Sequence, residues 1–323
     1  MIGIPKDFKI SKNPVSVSSF DWPLRMMNIQ AAHDAGIEGQ DISIGYLDTG
    51  VNRTHPDLPH DVKGWHYSDY SDDVDRNGHG SGVTFCIHSV GPRFKTIHGG
   101  KSLGDNGNGP FESIAEGLRF LIDSEVDIIS LSLGADSRAN SLDINRLLKE
   151  AYEKNIIVFI SSGNEGDDVG YPANQDTPFA VGAVDSRKRT TSFSNFGREL
   201  DFTGPGKDVR LAWVDKTWEI VSGTSFSCPF VAAFCGLILC DMKRRGMTWT
   251  VDLIKKIMTL NCEDIGSDGF DPETGCGLPR AGKGEPFILS TEDNPTIEEP
   301  EEEIVCTRNG WQRFWDSILG RIV

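Results

Sequence analysis

Four short segments hold the residue types that nucleophilic and acid–base chemistry needs. Asp48 stands in Asp48-Thr49-Gly50 and His79 in Asn77-Gly78-His79-Gly80. Asn164 stands in Ser162-Gly163-Asn164-Glu165-Gly166, and Ser225 in Gly223-Thr224-Ser225. Each is ambiguous alone. Asp-Thr-Gly after an apolar run also suits an aspartate dyad, but a dyad needs two carboxylates sharing a proton. The chain has no second Asp-Thr-Gly or Asp-Ser-Gly, and an Asp capping a turn explains the triplet as well as catalysis does. Glycines on both sides of His79 leave its ring accessible, as a general base requires. An Asn between glycines is usually a turn residue, yet its amide can also donate to a developing oxyanion. Ser225 opens a long apolar helix, where the first N–H groups lack intrahelical partners and favour negative charge. A serine there is either a plain N-cap or a nucleophile whose own amide helps hold the oxyanion.

Positions so far apart need a scaffold that gathers loop ends. Apolar runs at Asp41–Leu47, Asp127–Ser132, Asn155–Ile160 and Phe179–Val184 read as buried strands. Between them Phe111, Ile114, Ala115, Leu118, Leu121 and Ile122 recur at helical spacing, as do Ile144, Leu147, Leu148, Ala151 and Tyr152. Strands alternating with amphipathic helices predict an α/β fold, a mainly parallel central sheet with helices on both faces. In such sheets the chemistry collects beyond the carboxyl ends of the strands.

Composition narrows the class further. The 323 residues are 38% hydrophobic and 25% charged, enough for a core and too ordinary for wholesale disorder. Asp plus Glu outnumber Lys plus Arg by 48 to 32, a net charge of −16, the opposite of a phosphate-neutralising surface. Seven cysteines form no C-x-x-C pair, which speaks against a zinc site and for buried free thiols. Cys262 and Cys276 flank a polar segment and are the one pair worth testing for a bridge. The start of the chain lacks the apolar run of a secretory signal. No stretch reaches the ~20 apolar residues of a membrane span. Phe230–Cys240, the longest apolar run, reads as a core helix. These features predict a cytoplasmic product, or one carried by an assembly such as a phage particle.

Taken together, the ordered segments Asp48-Thr-Gly-Val, His79-Gly-Ser, Asn164 and Gly223-Thr-Ser225 resemble the subtilisin-like serine proteases. So do Thr54-His-Pro-Asp-Leu58, Ser130-Leu-Ser-Leu-Gly134, Val169-Gly-Tyr-Pro172 and Thr191-Ser-Phe-Ser-Asn-Phe-Gly197. The likeness runs from about Ile29 to Leu260, with a weaker echo at Gly275–Leu278. It implies Ser225 as nucleophile, His79 as general base, Asp48 as the carboxylate that orients it, and Asn164 as oxyanion donor. It implies a protein or peptide substrate bound as an added strand between Gly107-Asn108-Gly109 and Ser132-Leu133-Gly134. Ser162 and Gly163 would line the first specificity pocket, with Glu165 at its rim favouring a basic residue. No cofactor is required by that chemistry, and no metal ligands are assigned. The stretch Val83–Pro92 is too short for the family's usual calcium loop, which leaves only weak calcium binding elsewhere. Two departures stand out: Gly82 where the family usually has a second His, and Phe226 where it usually has Met.

The ends add their own expectations. Residues 1–24 form an N-terminal arm, and Ile4-Pro5 suggests a short inhibitory leader lying across the cleft, as in intracellular members of the family. The catalytic domain spans 25–288, an acidic linker 289–307, and an amphipathic helix 308–323. The linker holds seven acids between Glu292 and Glu303 and no base. Trp311, Phe314, Trp315, Ile318, Leu319 and Ile322 share one helical face, which fits packing on the domain, a protein partner or, less well, a membrane surface. An alternative to the enzyme is a low-activity scaffold that binds a partner through this tail.

Overall fold

The computed structural model describes residues 1–4, 9–11 and 21–289. The chain begins with β1 (Ile2–Gly3), β2 (Lys9–Ser11), α1 (Trp22–Met26) and α2 (Ile29–Asp34). Then come β3 (Ser43–Asp48), β4 (Lys63–His66), α3 (His79–Val90), β5 (Thr96–Lys101), β6 (Asn108–Gly109) and α4 (Phe111–Asp123). The second half runs β7 (Ile128–Leu131), α5 (Leu142–Glu153), β8 (Ile157–Ser161), β9 (Phe179–Val184) and β10 (Leu200–Pro205). It closes with β11 (Val209–Ala212), β12 (Trp218–Ser222), α6 (Thr224–Arg244), α7 (Val251–Leu260), β13 (Cys262–Glu263) and β14 (Leu278–Pro279).

Seven strands form one parallel sheet in the order β10-β9-β8-β7-β3-β5-β4. Successive side chains of a strand point to opposite faces, and here both faces are apolar. Ile157 and Phe159 join the core under α3, α6 and α7, while Val158 and Ile160 join the one under α4 and α5. A strand buried on both sides reads as an unbroken apolar run, which is why β3, β7, β8 and β9 fall where the sequence predicts them. Ile114, Leu118, Leu121 and Ile122 of α4 are buried, and so are Ile144, Leu147, Leu148 and Ala151 of α5. Ser141 caps α5 by accepting from the Ile144 N–H at 3.5 Å.

The chain enters the sheet at its middle, with β3. It fills the β5–β4 side, then crosses to β7 and runs outward to β10. The direction of winding therefore reverses beside β3, and Asp48 is the last residue of that strand. This is the switch point at which α/β sheets open a crevice. Helix α6 is apolar all round and, by length and composition alone, long enough to cross a membrane. Its apolar window is wholly buried, so it is the central core helix.

One pairing is corrected. Cys262 is a free thiol while Cys276 is disulfide-bonded, so the 262–276 bridge is not formed. The backbone keeps them in different places: Cys262 pairs with Pro279, whereas the Cys276 N–H donates to Asp201 O on β10 at 2.8 Å. Cys86, Cys228, Cys235 and Cys240 are buried free thiols. Pro5, Cys306, nearly all of the acidic linker and the helix expected over 308–323 lie outside the described residues.

Candidate active site

Asp48, at the end of the central strand, and His79, first residue of α3, meet although 31 positions separate them. His79 Nδ1–H donates to both carboxylate oxygens of Asp48, at 2.8 and 2.9 Å, and both side chains are fully buried. Asp48 Oδ1 also accepts the Thr49 N–H at 2.7 Å. The two His79–Asp48 bonds hold the imidazole by Nδ1, and Nε2, on the far side of the ring, is also buried.

A second carboxylate organises this corner. Asp75 Oδ1 accepts from the Asn77 and Gly78 N–H groups and from the Thr49 hydroxyl, and its Oδ2 accepts from the Ser81 N–H and hydroxyl. These bonds lie between 2.6 and 3.0 Å. Helix α3 starts at Gly78, which has no side chain to cap it. Asp75 and Thr49 cap it instead, Thr49 Oγ1 taking the Gly80 N–H at 3.0 Å. The cap thus ties the helix carrying His79 to the strand carrying Asp48. Buried Lys101 braces the same loops, its Nζ donating to Thr49 O, Val74 O and Asp105 Oδ1 at 2.7, 3.0 and 2.7 Å. Beneath them Tyr46 is pushed up by burial first and by the Asp48 and Asp75 charges next, against the opposing Thr84 hydrogen bond, so it stays a neutral phenol.

The glycines around His79 make room for aromatic rings. A Cβ on Gly78 would lie 2.0 Å from Trp213 Nε1, and one on Gly82 would lie 3.0 and 3.1 Å from Trp213 and Phe226. The Phe226 ring stands 5.1 Å, centroid to centroid, from the imidazole. The two departures from the family pattern, Gly82 and Phe226, are therefore neighbours in space.

Ser225 is the second residue of α6, and its side chain is fully buried. Asn164 stands beside it. Its Oδ1 accepts the Thr224 N–H and hydroxyl at 2.8 and 2.9 Å, which leaves Nδ2 to face the pocket next to Gly223. Asn164 Nδ2 and Ser225 Oγ are both buried with no hydrogen-bond partner among the described residues. Buried polar atoms are rarely left so. A Cβ on Gly223 would meet Asn164 Nδ2 at 3.2 Å and the Ser225 N at 3.8 Å, so the two residues bearing these atoms border one place able to receive a polar group.

The segments expected to hold substrate already hold a strand. Ile2 pairs with Gly109 and Gly3 with Asn108, antiparallel. On the other side the Gly3 N–H donates to Gly134 O at 3.1 Å, and Gly3 O accepts from the Gly134 N–H at 2.8 Å. The Ile4 N–H donates to Gly107 O at 2.9 Å. Ile2 is only 1% exposed, in an apolar cluster with Leu103, Ile114 and Leu133. Gly3 admits no side chain, since a Cβ would lie 2.5 Å from Asn108 Oδ1. Farther along, Lys9–Ser11 pairs antiparallel with Ile220–Ser222, immediately before the Ser225 turn. The same arm thus pairs both with the segments expected to hold substrate and with the strand that leads into Ser225.

The remaining expected residues surround that arm. Ser162 is buried and donates its hydroxyl to Asn195 O at 3.1 Å. Gly163 has φ +115°, and a Cβ there would meet Asn195 Nδ2 at 2.3 Å. Glu165 is exposed at the rim, its Oε2 accepting from the Asn164 N–H and Asn195 Nδ2 at 2.9 and 3.0 Å. Ser132 is the exception: its hydroxyl turns away from the cleft, onto Ser225 O at 2.6 Å. Asp75, Thr49, Lys101, Thr224 and Asn195 were not read from the sequence. The available signal for Asp75 was a capping residue type four places ahead of His79 at a helix start.

Residues 39–277 match the model of the subtilase family. The chain belongs to that family. It is accordingly a serine endopeptidase. It is 33% identical over 218 residues to subtilisin DY of Bacillus licheniformis, covering 63% of this chain and 78% of that one. It is 30% identical to subtilisin Savinase of Lederbergia lenta over 81% of this chain and 97% of that one. To the minor extracellular protease Epr of Bacillus subtilis it is 30% identical over 84% of its own length, but it spans only 43% of that protein.

Proposed function

We propose that the subtilase hydrolyses peptide bonds with Ser225 as nucleophile, His79 as general base and Asp48 as the group that orients it. Asn164 Nδ2 and the Ser225 amide would receive the oxyanion. The Ser225 hydroxyl gives its proton to His79 Nε2 as its oxygen attacks the carbonyl. Asp48 stabilises the imidazolium, and the leaving amine takes that proton when the acyl-enzyme forms. Water then repeats the cycle in reverse. The observation that carries the reading is the His79–Asp48 bond together with two buried polar atoms that lack hydrogen-bond partners, Ser225 Oγ and Asn164 Nδ2, on residues that both border Gly223. Removing one oxyanion donor typically costs about 10²–10³ in turnover. Asn164→Leu is therefore expected to lower kcat by about that factor with KM little changed, and Ser225→Ala to abolish turnover. An unchanged kcat in Asn164→Leu rejects the assignment. This chemistry needs only these side chains, so activity is expected to persist in excess EDTA. A loss that calcium restores would overturn that.

The same reading extends to substrate and control. Glu165 at the rim favours Lys or Arg before the scissile bond. Because it is exposed, its contribution is about two- to fivefold, and a peptide panel with no difference between Lys and Leu removes it. The arm occupies the segments that a substrate strand would use, which supports its role as an inhibitory leader. A substrate strand could take Gly107–Gly109 and Gly134 only once the arm leaves them.

A further inference from the structure

Pro229 lies inside α6, four residues after Ser225. Proline has no N–H, so the carbonyl four residues back loses the bond an α-helix would give it, and the ring crowds that carbonyl aside. Here the carbonyl belongs to Ser225. Ser225 is fully buried, and a buried main-chain oxygen must find a partner elsewhere. The partner comes from outside the helix: the Ser132 hydroxyl donates to Ser225 O at 2.6 Å. Ser132 is itself fully buried and follows directly on β7. Its neighbour Gly134 exchanges two hydrogen bonds with Gly3 of the arm.

We propose that Ser132 is a positioning residue for the nucleophile. It supplies the hydrogen bond that Pro229 cannot, and so holds the Ser225 peptide unit in the first turn of α6. That turn is the least constrained part of a helix, because its N–H groups have no intrahelical partners. Without Ser132 the Ser225 carbonyl is free to turn, and the Ser225 hydroxyl and amide turn with it, away from His79 and Asn164. The link also runs from the strand that holds substrate to the residue that attacks it. This inference rests on Ser225 being the nucleophile and adds a task for a side chain that the cleft itself does not use.

The test is a double-mutant cycle on the full chain. Ser132→Ala strands the carbonyl, and Pro229→Ala restores an N–H able to reach it. With a peptide p-nitroanilide, Ser132→Ala is expected to lower kcat roughly tenfold or more, with KM within about twofold. In the Pro229→Ala background the same change is expected to cost less than about threefold, since the helix then closes its own bond. The labelling rate of Ser225 by a fluorophosphonate, counted on folded protein, should follow kcat. An equal loss in both backgrounds, or a loss confined to KM, overturns the proposal. If Ser132→Ala does not fold alone, the double variant must fold and turn over substrate, and a double variant that stays unfolded overturns it too. With Ile2→Asp added to open the arm, Ser225 that still fails to label refutes the reading of the nucleophile. Ser225 that labels there while the cycle is additive refutes only the role of Ser132.

Discussion

Opening the arm offers a quantitative handle on the cleft. Ile2 is buried to 1% exposure among Leu103, Ile114 and Leu133, and it must be exposed when the arm lifts. Burial of an isoleucine is worth about 1.5–3 kcal/mol. The three hydrogen bonds of Gly3 and Ile4 use main-chain atoms and can form whatever side chain residue 2 carries. Ile2→Asp therefore removes the side-chain contribution and adds the cost of burying a carboxylate. At 1.4 kcal/mol per tenfold, the open fraction rises by about 10- to 150-fold, up to the point where the arm is always open. Arm and substrate compete for the same strands, so the gain belongs in KM. A binding site available for only a fraction of the time weakens apparent affinity by that fraction. Initial rates on a tetrapeptide p-nitroanilide should show a KM lower by that factor and an unchanged kcat. Equal KM values in wild type and Ile2→Asp, over a full range of substrate, would refute the competition between arm and substrate.

Other perturbations probe the corner that holds His79. Asp75→Asn turns an acceptor into a donor facing Ser81, and one unsatisfied buried group costs about 1–3 kcal/mol. Turnover is expected to fall at least severalfold and the melting temperature by about 2–10 °C, and an unshifted melt would deny Asp75 its capping role. Gly82→Ala brings a methyl group within 3.0–3.2 Å of Trp213, Phe226 and Leu211. It should lower kcat, and Phe226→Leu, which clears the space, should restore it; steady-state kinetics on the four combinations decides. Burial pushes the Cys228 thiol up to about 12. Iodoacetamide at pH 8 should leave Cys228 unlabelled in the native protein and label it after denaturation, as peptide mapping can show.

The sheet is legible where one strand alone accounts for its own burial. Ile157–Ser161 and Phe179–Val184 carry apolar side chains on both faces, so their runs announce them. Strand β5 reads Thr-Ile-His-Gly-Gly-Lys and escapes such a search. Its neighbours fill the space instead: a Cβ on Gly99 would lie 2.5 Å from the Tyr46 hydroxyl, and one on Gly100 2.5 Å from Leu47. That volume matching is tertiary and leaves no periodic trace. The same holds near the site. The residue types at 48, 79, 164 and 225 stand out because each follows a strand or opens a helix. Asp75 acts through Thr49 and Ser81, and Ser132 through a proline 97 positions later, and neither relation has a spacing to recognise. The arm falls between these cases. Ile4-Pro5 hinted at a segment lying in the cleft, but the pairing of Gly3 with Gly134 depends on chain reversals that a single sequence does not display.

The account turns on Ser225 being the atom that attacks. Reaction of the Ile2→Asp enzyme with a fluorophosphonate, followed by peptide mapping in the mass spectrometer, tests this most directly. The expected result is a single adduct on Ser225, lost in Ser225→Ala and strongly slowed in His79→Ala. An adduct at another residue, or peptide hydrolysis that survives Ser225→Ala, would contradict it.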